Sequence, residues 1–486
     1  MKKTNIKLFI SIIDSNLTED IFTVNLMIKI KNRAQLIKNG ETQRTRKSRA
    51  LTIECLERAV NAVEPKQLMK AKVKLENNQL QVEGYSFDLR KVKRVFVVGG
   101  GKAGSKMAQA IEEILGKRVT AGAVNVPYGT KQNTQVIELN EASHPFPDEA
   151  GVNGTFRIMA VAEKAEENDL VICLISGGGS SLMPMPREGI SLKDKQALTN
   201  VLLKSGASIT EINAVRKHLS GFKGGWLAKK AYPATVLNIV LSDVMGDPLD
   251  SIASGPTVPD QSTFNDARKI LEKYDLWSNA PISTRKVLSE GARGLLQETP
   301  KVGDLIFENV YNVVIGNNRT ACLAAVDCFR SNGLTSLLLD DELAGEARET
   351  GKKLAKLSIM GFSCDVSIPK PFGIVAGGET TVTVTGEGLG GRNQELALSA
   401  ALNLKESEEC VIASFSTDGV DGPTDAAGAI VDNYTLRRAK KLGLDQDKYL
   451  AANDSYRFFS KLGDLIFTEA TGTNVNDIST IVALKG

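Results

Sequence analysis

Histidine is nearly absent from this chain of 486 residues. Only His144 and His218 occur, and the six cysteines are scattered without a C-x-x-C pair. Structural zinc sites take Cys and His ligands at short, regular spacings, so the sequence offers no such site. Because the cysteines lie mostly in apolar runs, we expect buried free thiols and a reducing, cytoplasmic location.

Long apolar runs and blocks of one charge are missing as well. No apolar span approaches the roughly 20 residues that a membrane helix needs. Lys and Arg number 60 against 57 Asp and Glu, which gives a net charge of +3 and no electrostatic case for nucleic acid. We therefore expect small-molecule partners, with no nucleic acid and no membrane.

The chain divides into three segments by composition and pattern. Residues 1–47 are rich in Lys and Asn, and we predict a loosely ordered N-terminal extension. Residues 48–304 and 305–486 each alternate strand, glycine turn and helix, as parallel α/β sheets do. The prediction is an α/β protein of two domains: an N-terminal Rossmann-like domain with a largely parallel sheet, and a second α/β domain. Thr380–Thr385 alternates Thr and Val and predicts a strand.

The stretch Ile172–Pro184 is a short apolar run that enters three glycines and two serines. It predicts a buried strand that ends in a tight turn. Glycine lets backbone amides approach a ligand, and a hydroxyl pair beside such amides can hold an anion. A strand-to-helix turn without a ligand explains the pattern equally well.

Lys102 lies in a second glycine turn, between a predicted strand and a predicted helix. Gly99-x-Gly101-x-x-Gly104 fits a dinucleotide fingerprint, but the acidic residue expected about 20 positions later is missing. Asn125 lies there instead. A lysine in such a turn can hold a phosphate or a carboxylate; the alternative is a solvated surface lysine.

Further candidates follow other predicted strands. Asp243 ends an apolar strand, where open α/β sheets place their ligands, or it caps a turn. Arg392 lies among glycines just before a helix and can bring a guanidinium to an anion, or it only starts that helix. Asp418 and Asp421 could hold Mg²⁺ through water or form an Asx turn. His144 could act as a base, but a lone His before Pro is more often structural.

Seven motifs in this order resemble the glycerate 2-kinase family, the class with a MOFRL C-terminal domain. The resemblance covers the chain from about Ser48 to the C-terminus. The motifs are GGGKAG, SHPFPD, LISGGGSSLMP, INAVRKHLSGFKGGWLA, LSDVMGDPLDSIASGPT, GGETTVTVTGEGLGGRNQE and STDGVDGPTDAAGA.

The resemblance implies a two-domain enzyme whose active site lies in the cleft between its domains. It implies ATP-dependent phosphorylation of D-glycerate to 2-phospho-D-glycerate, with Mg²⁺ or a similar ion. The alternative within the same resemblance is an NAD(P)-dependent hydroxypyruvate reductase, and a homodimer stays open.

The resemblance also assigns roles to residues. The family's catalytic lysine falls on Lys102, its arginine on Arg392 and its glycine–serine loop on Gly177–Ser181. Beside what the resemblance implies, we expect Asp243 to be the base on the glycerate hydroxyl or a metal contact, and we make the following further assignments. Asp243 and Asp418 are the expected metal ligands. The expected nucleotide-binding residues are Gly100, Gly101, Gly177, Gly178, Gly179, Ser180, Ser181 and Asn317.

Overall fold

A computed structural model of the chain describes residues 27–360, 370–406 and 409–484. Residues 1–26, the greater part of the predicted extension, lie outside the described residues, and so does Cys364. No helix in the described part is long and apolar enough to cross a membrane. Cys55, Cys173, Cys322 and Cys328 are buried thiols outside any disulfide, which confirms that expectation for these four residues.

The described residues contain strands that form three sheets. In chain order they are β1 (Val73–Glu76), β2 (Gln79–Val82), β3 (Tyr85–Asp88), β4 (Val95–Gly100), β5 (Val119–Pro127), β6 (Ile137–Ala142), β7 (Leu170–Ser176), β8 (Thr235–Leu241), β9 (Val310–Gly316), β10 (Thr335–Leu343), β11 (Phe372–Gly378), β12 (Val411–Ser416), β13 (Gly428–Asp432), β14 (Leu465–Ile466) and β15 (Asp477–Ala483).

Helices connect and cover these strands. In chain order they are α1 (Arg33–Lys38), α2 (Gln43–Ala62), α3 (Pro65–Lys72), α4 (Gly104–Leu115), α5 (Glu149–Ala162), α6 (Gly179–Leu182), α7 (Leu192–Lys204), α8 (Ile209–His218), α9 (Trp226–Ala231), α10 (Phe264–Lys273), α11 (Ile282–Ala292), α12 (Asn318–Ser331), α13 (Ala347–Met360), α14 (Arg392–Asn403), α15 (Thr435–Lys441), α16 (Gln446–Ala451) and α17 (Ser455–Leu462).

The first large sheet is parallel throughout and has the strand order β6-β5-β4-β7-β8-β9. Its central strands β4 and β7 are buried along their whole length, as their continuous apolar runs predict for a sheet covered on both faces. Because all six strands run the same way, the turns that follow β4, β7, β8 and β9 meet at one edge. This edge carries the candidate site.

The second large sheet is mixed and has the strand order β10-β11-β15-β12-β13-β14. Only β10 and β11 pair in parallel, and the other neighbours are antiparallel. Helices α12, α13 and α14 pack beside it. The predicted fold class, two α/β units with a parallel sheet in the first, is confirmed.

Sheet membership does not follow the predicted segment limits. Strand β9 comes after residue 304, yet it pairs with β8 from Val236↔Val310 to Leu241↔Gly316. Helix α2 precedes the first sheet in the chain but packs on α12, β12 and β15 of the second unit. Within the predicted extension, α1 buries Leu36 completely. Apolar periodicity shows that a segment is buried but not which sheet buries it.

The strand predicted at Thr380–Thr385 is wrong. Apart from one bridge, Glu346↔Thr381, this segment has no strand pairing. Its backbone amides are satisfied by side chains instead: the Thr383 amide donates to the Glu346 carboxylate and the Thr385 amide to Asn453 Oδ1. Alternation favours a strand only where a partner edge is within reach.

Candidate active site

The turns after β4 and β7 are joined by backbone and side-chain hydrogen bonds. The Lys102 amide donates to the Gly177 carbonyl at 2.8 Å. The Ala103 amide donates to the Ser176 hydroxyl at 3.0 Å. These bonds hold Lys102 directly beside the glycine–serine loop, Gly177–Ser181.

Gly100 and Gly101 let the Lys102 turn pack closely on its neighbours. A Cβ atom on Gly101, where φ is +145°, would lie 2.1 Å from Ser176 Oγ, and one on Gly100 would lie 2.8 Å from the Asn125 carbonyl oxygen. The two glycines are therefore required by strand packing, whether or not a nucleotide approaches them.

Gly177 and Gly178 make room for three functional side chains. A Cβ on Gly177 would lie 1.9 Å from Asp243 Oδ2, and one on Gly178 would lie 2.9 Å from His144 Cδ2 and 3.2 Å from Lys102 Cγ. The loop is thus the point at which Asp243, His144 and Lys102 come together.

Carboxylates surround Lys102 in the cleft between the two units. Lys102 Nζ lies 3.6 Å from Asp418 Oδ2, and Asp418 belongs to the turn after β12 of the second sheet. Burial raises the pKa of Asp243 to about 6; the Lys102 charge opposes this rise, and Glu379 and Asp418 add to it. Lys102 and three acids from both units therefore share one electrostatic environment.

Arg392 is the first residue of α14 and is held by two acids. Its Nε and Nη2 donate to the two oxygens of Asp477 at 2.5 and 3.0 Å, and its Nη1 pairs with Glu379 at 2.7 Å. Burial raises the pKa of Asp477 to about 6 although Arg392 opposes the rise. Because Glu379 also acts on Asp243, it connects Arg392 electrostatically to the Lys102 cluster.

Asp421 and Asp418 differ in their surroundings. Asp421 accepts the Asn393 and Gln394 amides at 3.1 and 2.9 Å, so it caps the first turn of α14. Asp418 Oδ1 accepts the Val420 amide at 3.0 Å in an Asx-type turn, which leaves Oδ2 facing Lys102. Of the two, only Asp418 faces the cleft.

Ser180, Ser181 and Asn317 have partners within the protein. Ser180 Oγ lies 3.1 Å from Ser254 Oγ, and the Ser181 hydroxyl donates to the Gly178 carbonyl at 3.0 Å. Asn317 accepts the Thr320 amide at 3.0 Å as the N-cap of α12, and its side-chain amide donates to Asp247. The structure uses Asn317 as a cap, which accounts for its presence without a ligand.

His144 lies beside the same loop, next to the position that a Cβ on Gly178 would take. Burial lowers its pKa, the Lys102 charge lowers it further, and Asp418 opposes both effects. A histidine beside a lysine is kept neutral, which suits a hydrogen-bonding wall of the site better than a second positive charge.

No group of three or more His, Cys, Asp or Glu side chains among the described residues could hold a metal ion alone. The two predicted ligands, Asp243 and Asp418, are nevertheless close enough for Asp418 to raise the pKa of Asp243. Mg²⁺ is commonly held by one or two carboxylates together with substrate phosphates. The donor chemistry therefore suits an ion that arrives with a phosphate ligand.

Sequence reasoning missed Glu379 and Asp477. Glu379 directly follows the buried strand β11, which is the signal that pointed to Asp243 after β8. Asp477 opens β15 and carries no such signal, because the sequence does not show that Arg392 comes to lie against it. Asn474, whose amide is 3.5 Å from Asp243 Oδ2, was also missed.

Two protein-family models match parts of this chain, and several known proteins resemble it in sequence. A family model described as a domain of unknown function (DUF4147) matches residues 51–289, and the MOFRL family model matches residues 372–477. The D-glycerate 2-kinase of Thermotoga maritima is 44% identical over 88% of this chain and 96% of its own length. The glycerate 2-kinase of Pyrococcus horikoshii is 42% identical over 88% of this chain and 96% of its own length.

A solved structure agrees with these relatives. The crystal structure of glycerate kinase from Thermotoga maritima superimposes with a TM-score of 0.80 at 43% identity, covering 89% of this chain and 99% of that one. Sequence and fold thus agree, and the chain belongs to the glycerate 2-kinase family.

Proposed function

We propose that this enzyme transfers the γ-phosphoryl group of ATP to the C2 hydroxyl of D-glycerate, giving 2-phospho-D-glycerate and ADP. One observation carries the proposal: Lys102 from the first unit and Arg392 from the second belong to one charge network around Asp243. The curated relatives named glycerate kinase support it.

Lys102 and Arg392 neutralise charge during the transfer. Phosphoryl transfer needs mainly positioning and charge stabilisation from the protein. Arg392 is anchored by Asp477, whose side chain is 8% exposed, while Glu379 is 45% exposed. Glu379 is therefore the acid that Arg392 releases when the anionic substrate enters.

Asp243 is the candidate base for the substrate hydroxyl. With a pKa of about 6 it is ionised at neutral pH, yet it is more basic than an ordinary aspartate. General bases work best when their pKa lies near the working pH. The same carboxylate can serve as a metal contact instead.

Asp243 and Asp418 are the side chains that would hold Mg²⁺. The ion would neutralise phosphate charge when bound with ATP. Asp418 already faces Lys102, so the protein's own part is to orient both carboxylates toward the same space.

A hydroxypyruvate reductase is the alternative, and the surroundings of Asn125 speak against it. The acidic residue of a dinucleotide site is replaced by Asn125, which is fully buried and donates to the Gly151 and Leu182 carbonyls. Asn125 therefore supports the sheet edge and offers no group to a ribose.

The test is an ADP-release assay with D-glycerate and ATP–Mg²⁺, with the product identified by phosphorus NMR. We expect Lys102→Ala and Arg392→Ala each to lose orders of magnitude in turnover and to keep the fold by circular dichroism. NADH oxidation with hydroxypyruvate and no ADP release would overturn the proposal. Near-wild-type rates in either variant would overturn the roles of these residues.

A further inference from the structure

A cavity of about 600 Å³ opens beside the glycine–serine loop, and Asp243 is not among the residues that line it. Gly178, Ser180 and Ser181 form one wall of this cavity. Because a Cβ on Gly178 would also meet His144 and Lys102, the cavity and the charged cleft share the loop as a common boundary.

The cavity wall carries three positive side chains, Lys195, Arg216 and Lys223, and no acidic residue. Lys195 and Lys223 are only 7% and 1% exposed. Lys195 Nζ donates to the Pro184 carbonyl at 2.9 Å, and Lys223 Nζ donates to the Ser180 carbonyl at 3.0 Å. Both side-chain nitrogens are therefore held in place by carbonyl oxygens, and neither lysine pairs with a carboxylate among the described residues.

Arg216 has no carboxylate partner in the described ranges and repels Lys195 and Lys223 instead. Burial and then the Arg216 charge lower the pKa of Lys195 to about 7. Burial, Lys195 and Arg216 together lower the pKa of Lys223. Burial and mutual repulsion disfavour the charged forms of the two lysines, and a bound anion would reverse this effect by supplying the missing counter-charge. Because the cavity wall holds three basic side chains and no carboxylate, it suits a polyanion.

The remaining wall mixes polar side chains with exposed apolar ones. Phe146 is 70% exposed and Leu203 is 56% exposed, and both line the cavity. Exposed aromatic and aliphatic surface at the mouth of a cavity suits a flat hydrophobic group. The volume falls in the range of roughly 300–1,000 Å³ that drug-sized ligands occupy and far exceeds what a three-carbon acid fills.

We infer that this cavity binds the nucleotide, with its phosphates on Lys195, Arg216 and Lys223 and its base against Phe146 and Leu203. The inference rests on the proposed function, because it takes ATP as the phosphoryl donor. D-glycerate then occupies the cleft of Lys102, Asp243 and Arg392. The shared loop at Gly178 is where the terminal phosphate passes from one compartment to the other.

The experiment separates phosphate binding from base binding. Binding of ADP and of pyrophosphate to the full chain is measured by calorimetry without D-glycerate. Arg216→Gln should weaken both ligands by about tenfold or more, as loss of a charge-assisted hydrogen bond does. Phe146→Ala should weaken ADP several-fold and leave pyrophosphate unchanged. Arg268→Gln, which removes an exposed arginine paired with Glu272 on α10, is the matched control and should change neither.

Kinetics give the second readout. Arg216→Gln should raise the KM for ATP by a similar factor and leave the KM for D-glycerate within twofold. Arg216→Lys keeps the charge and should restore most of the pyrophosphate affinity. This result would show that Arg216→Gln loses affinity because the charge is lost and not because the protein misfolds.

Two outcomes would overturn the inference. One is unchanged ADP binding in a folded Arg216→Gln variant, and the other is a raised KM for D-glycerate alone. Failure of the proposed function is distinct, because the wild-type chain would then release no ADP with D-glycerate while its ADP binding could still be measured.

Discussion

A single carboxylate illustrates how burial and neighbours set chemistry at the residue scale. Asp243 follows β8 and is partly buried against the glycine–serine loop. Its pKa of about 6 reflects burial first, with Lys102 opposing it. A sequence can place an aspartate after a strand but does not show the loop that covers it.

The pH dependence of turnover follows from this pKa. The folded-state pKa of Asp243 is raised, so the ionised form that can accept a proton is lost as the pH falls through about 6. We expect kcat/KM for D-glycerate to fall about tenfold per pH unit below that point. The measurement is a pH–rate profile between pH 5 and 8, buffered at constant ionic strength. An acidic limb centred near pH 4 would contradict the role of Asp243 as base.

Arg49 provides a stability prediction at the same scale. Its side chain is fully buried and bonds Asp432 at 2.6 Å and Asp464 at 2.8 Å. Removing one partner of a buried ion pair leaves an uncompensated charge, which typically costs about 3–5 kcal/mol. Arg49→Met should therefore lower the Tm strongly. Arg44→Gln on the same helix α2 breaks a half-exposed pair with Glu409 and should cost under about 1 kcal/mol.

The stability that Arg49 gains from Asp432 and Asp464 depends on pH in a direction that can be stated. Burial raises the pKa of Asp464, but Arg49 and Arg438 outweigh it and hold the pKa below its usual value. The stabilisation is therefore present above the unfolded-state pKa and is lost as the pH falls through the folded-state pKa. A Tm difference between wild type and Arg49→Met that failed to shrink in acid would contradict this assignment.

At the scale of elements, strand–loop junctions could be read from the sequence. The apolar runs before Lys102, Gly177 and Asp243 predicted strands, and the structure has β4, β7 and β8 there as neighbours in the first sheet. The Thr/Val alternation after β11 failed because no strand edge lies within reach of it. The cations of α7 and α8 were missed because helical residues that face a cavity follow the same spacing as residues that face a core.

The loop after β7 gives a prediction about one methyl group. A Cβ on Gly177 would lie 1.9 Å from Asp243 Oδ2, so Gly177→Ala must displace that carboxylate or the loop. We expect a loss of turnover of about a hundredfold or more, as misplacement by about 1 Å can cause. Turnover is measured by ADP release. A Tm near that of wild type would show that the loss arises in the site, and full activity would contradict the placement of Asp243.

On the scale of the whole molecule, the two units are interleaved. Strand β9 completes the first sheet although it lies beyond residue 304, and α2 covers the second sheet although it precedes the first. The sequence could predict two α/β units because each repeats strand, turn and helix. It could not predict which sheet β9 joins or which sheet α2 covers, because both sheets offer the same kind of apolar surface.

Truncation tests this arrangement. A fragment spanning residues 64–304 leaves the edge of β8 unpaired, whereas a fragment spanning residues 64–317 restores its partner β9. Unpaired strand edges promote association between chains. We expect the longer fragment to yield more monomer in size-exclusion chromatography. Identical elution of both fragments would show that β9 contributes little to the first unit.

Helix α2 is made early but packs on elements that are made late, so the order of synthesis limits when it can pack. Arg49 is 415 residues distant from its partner Asp464. At elongation rates of 5–20 residues per second, the ribosome needs roughly 20 to 80 s to make that partner. Helix α12, which also packs on α2, is made earlier, but until Asp464 is made Arg49 lacks one of its two carboxylate partners. Helix α2 therefore cannot complete its native contacts until the last strands of the chain have been made.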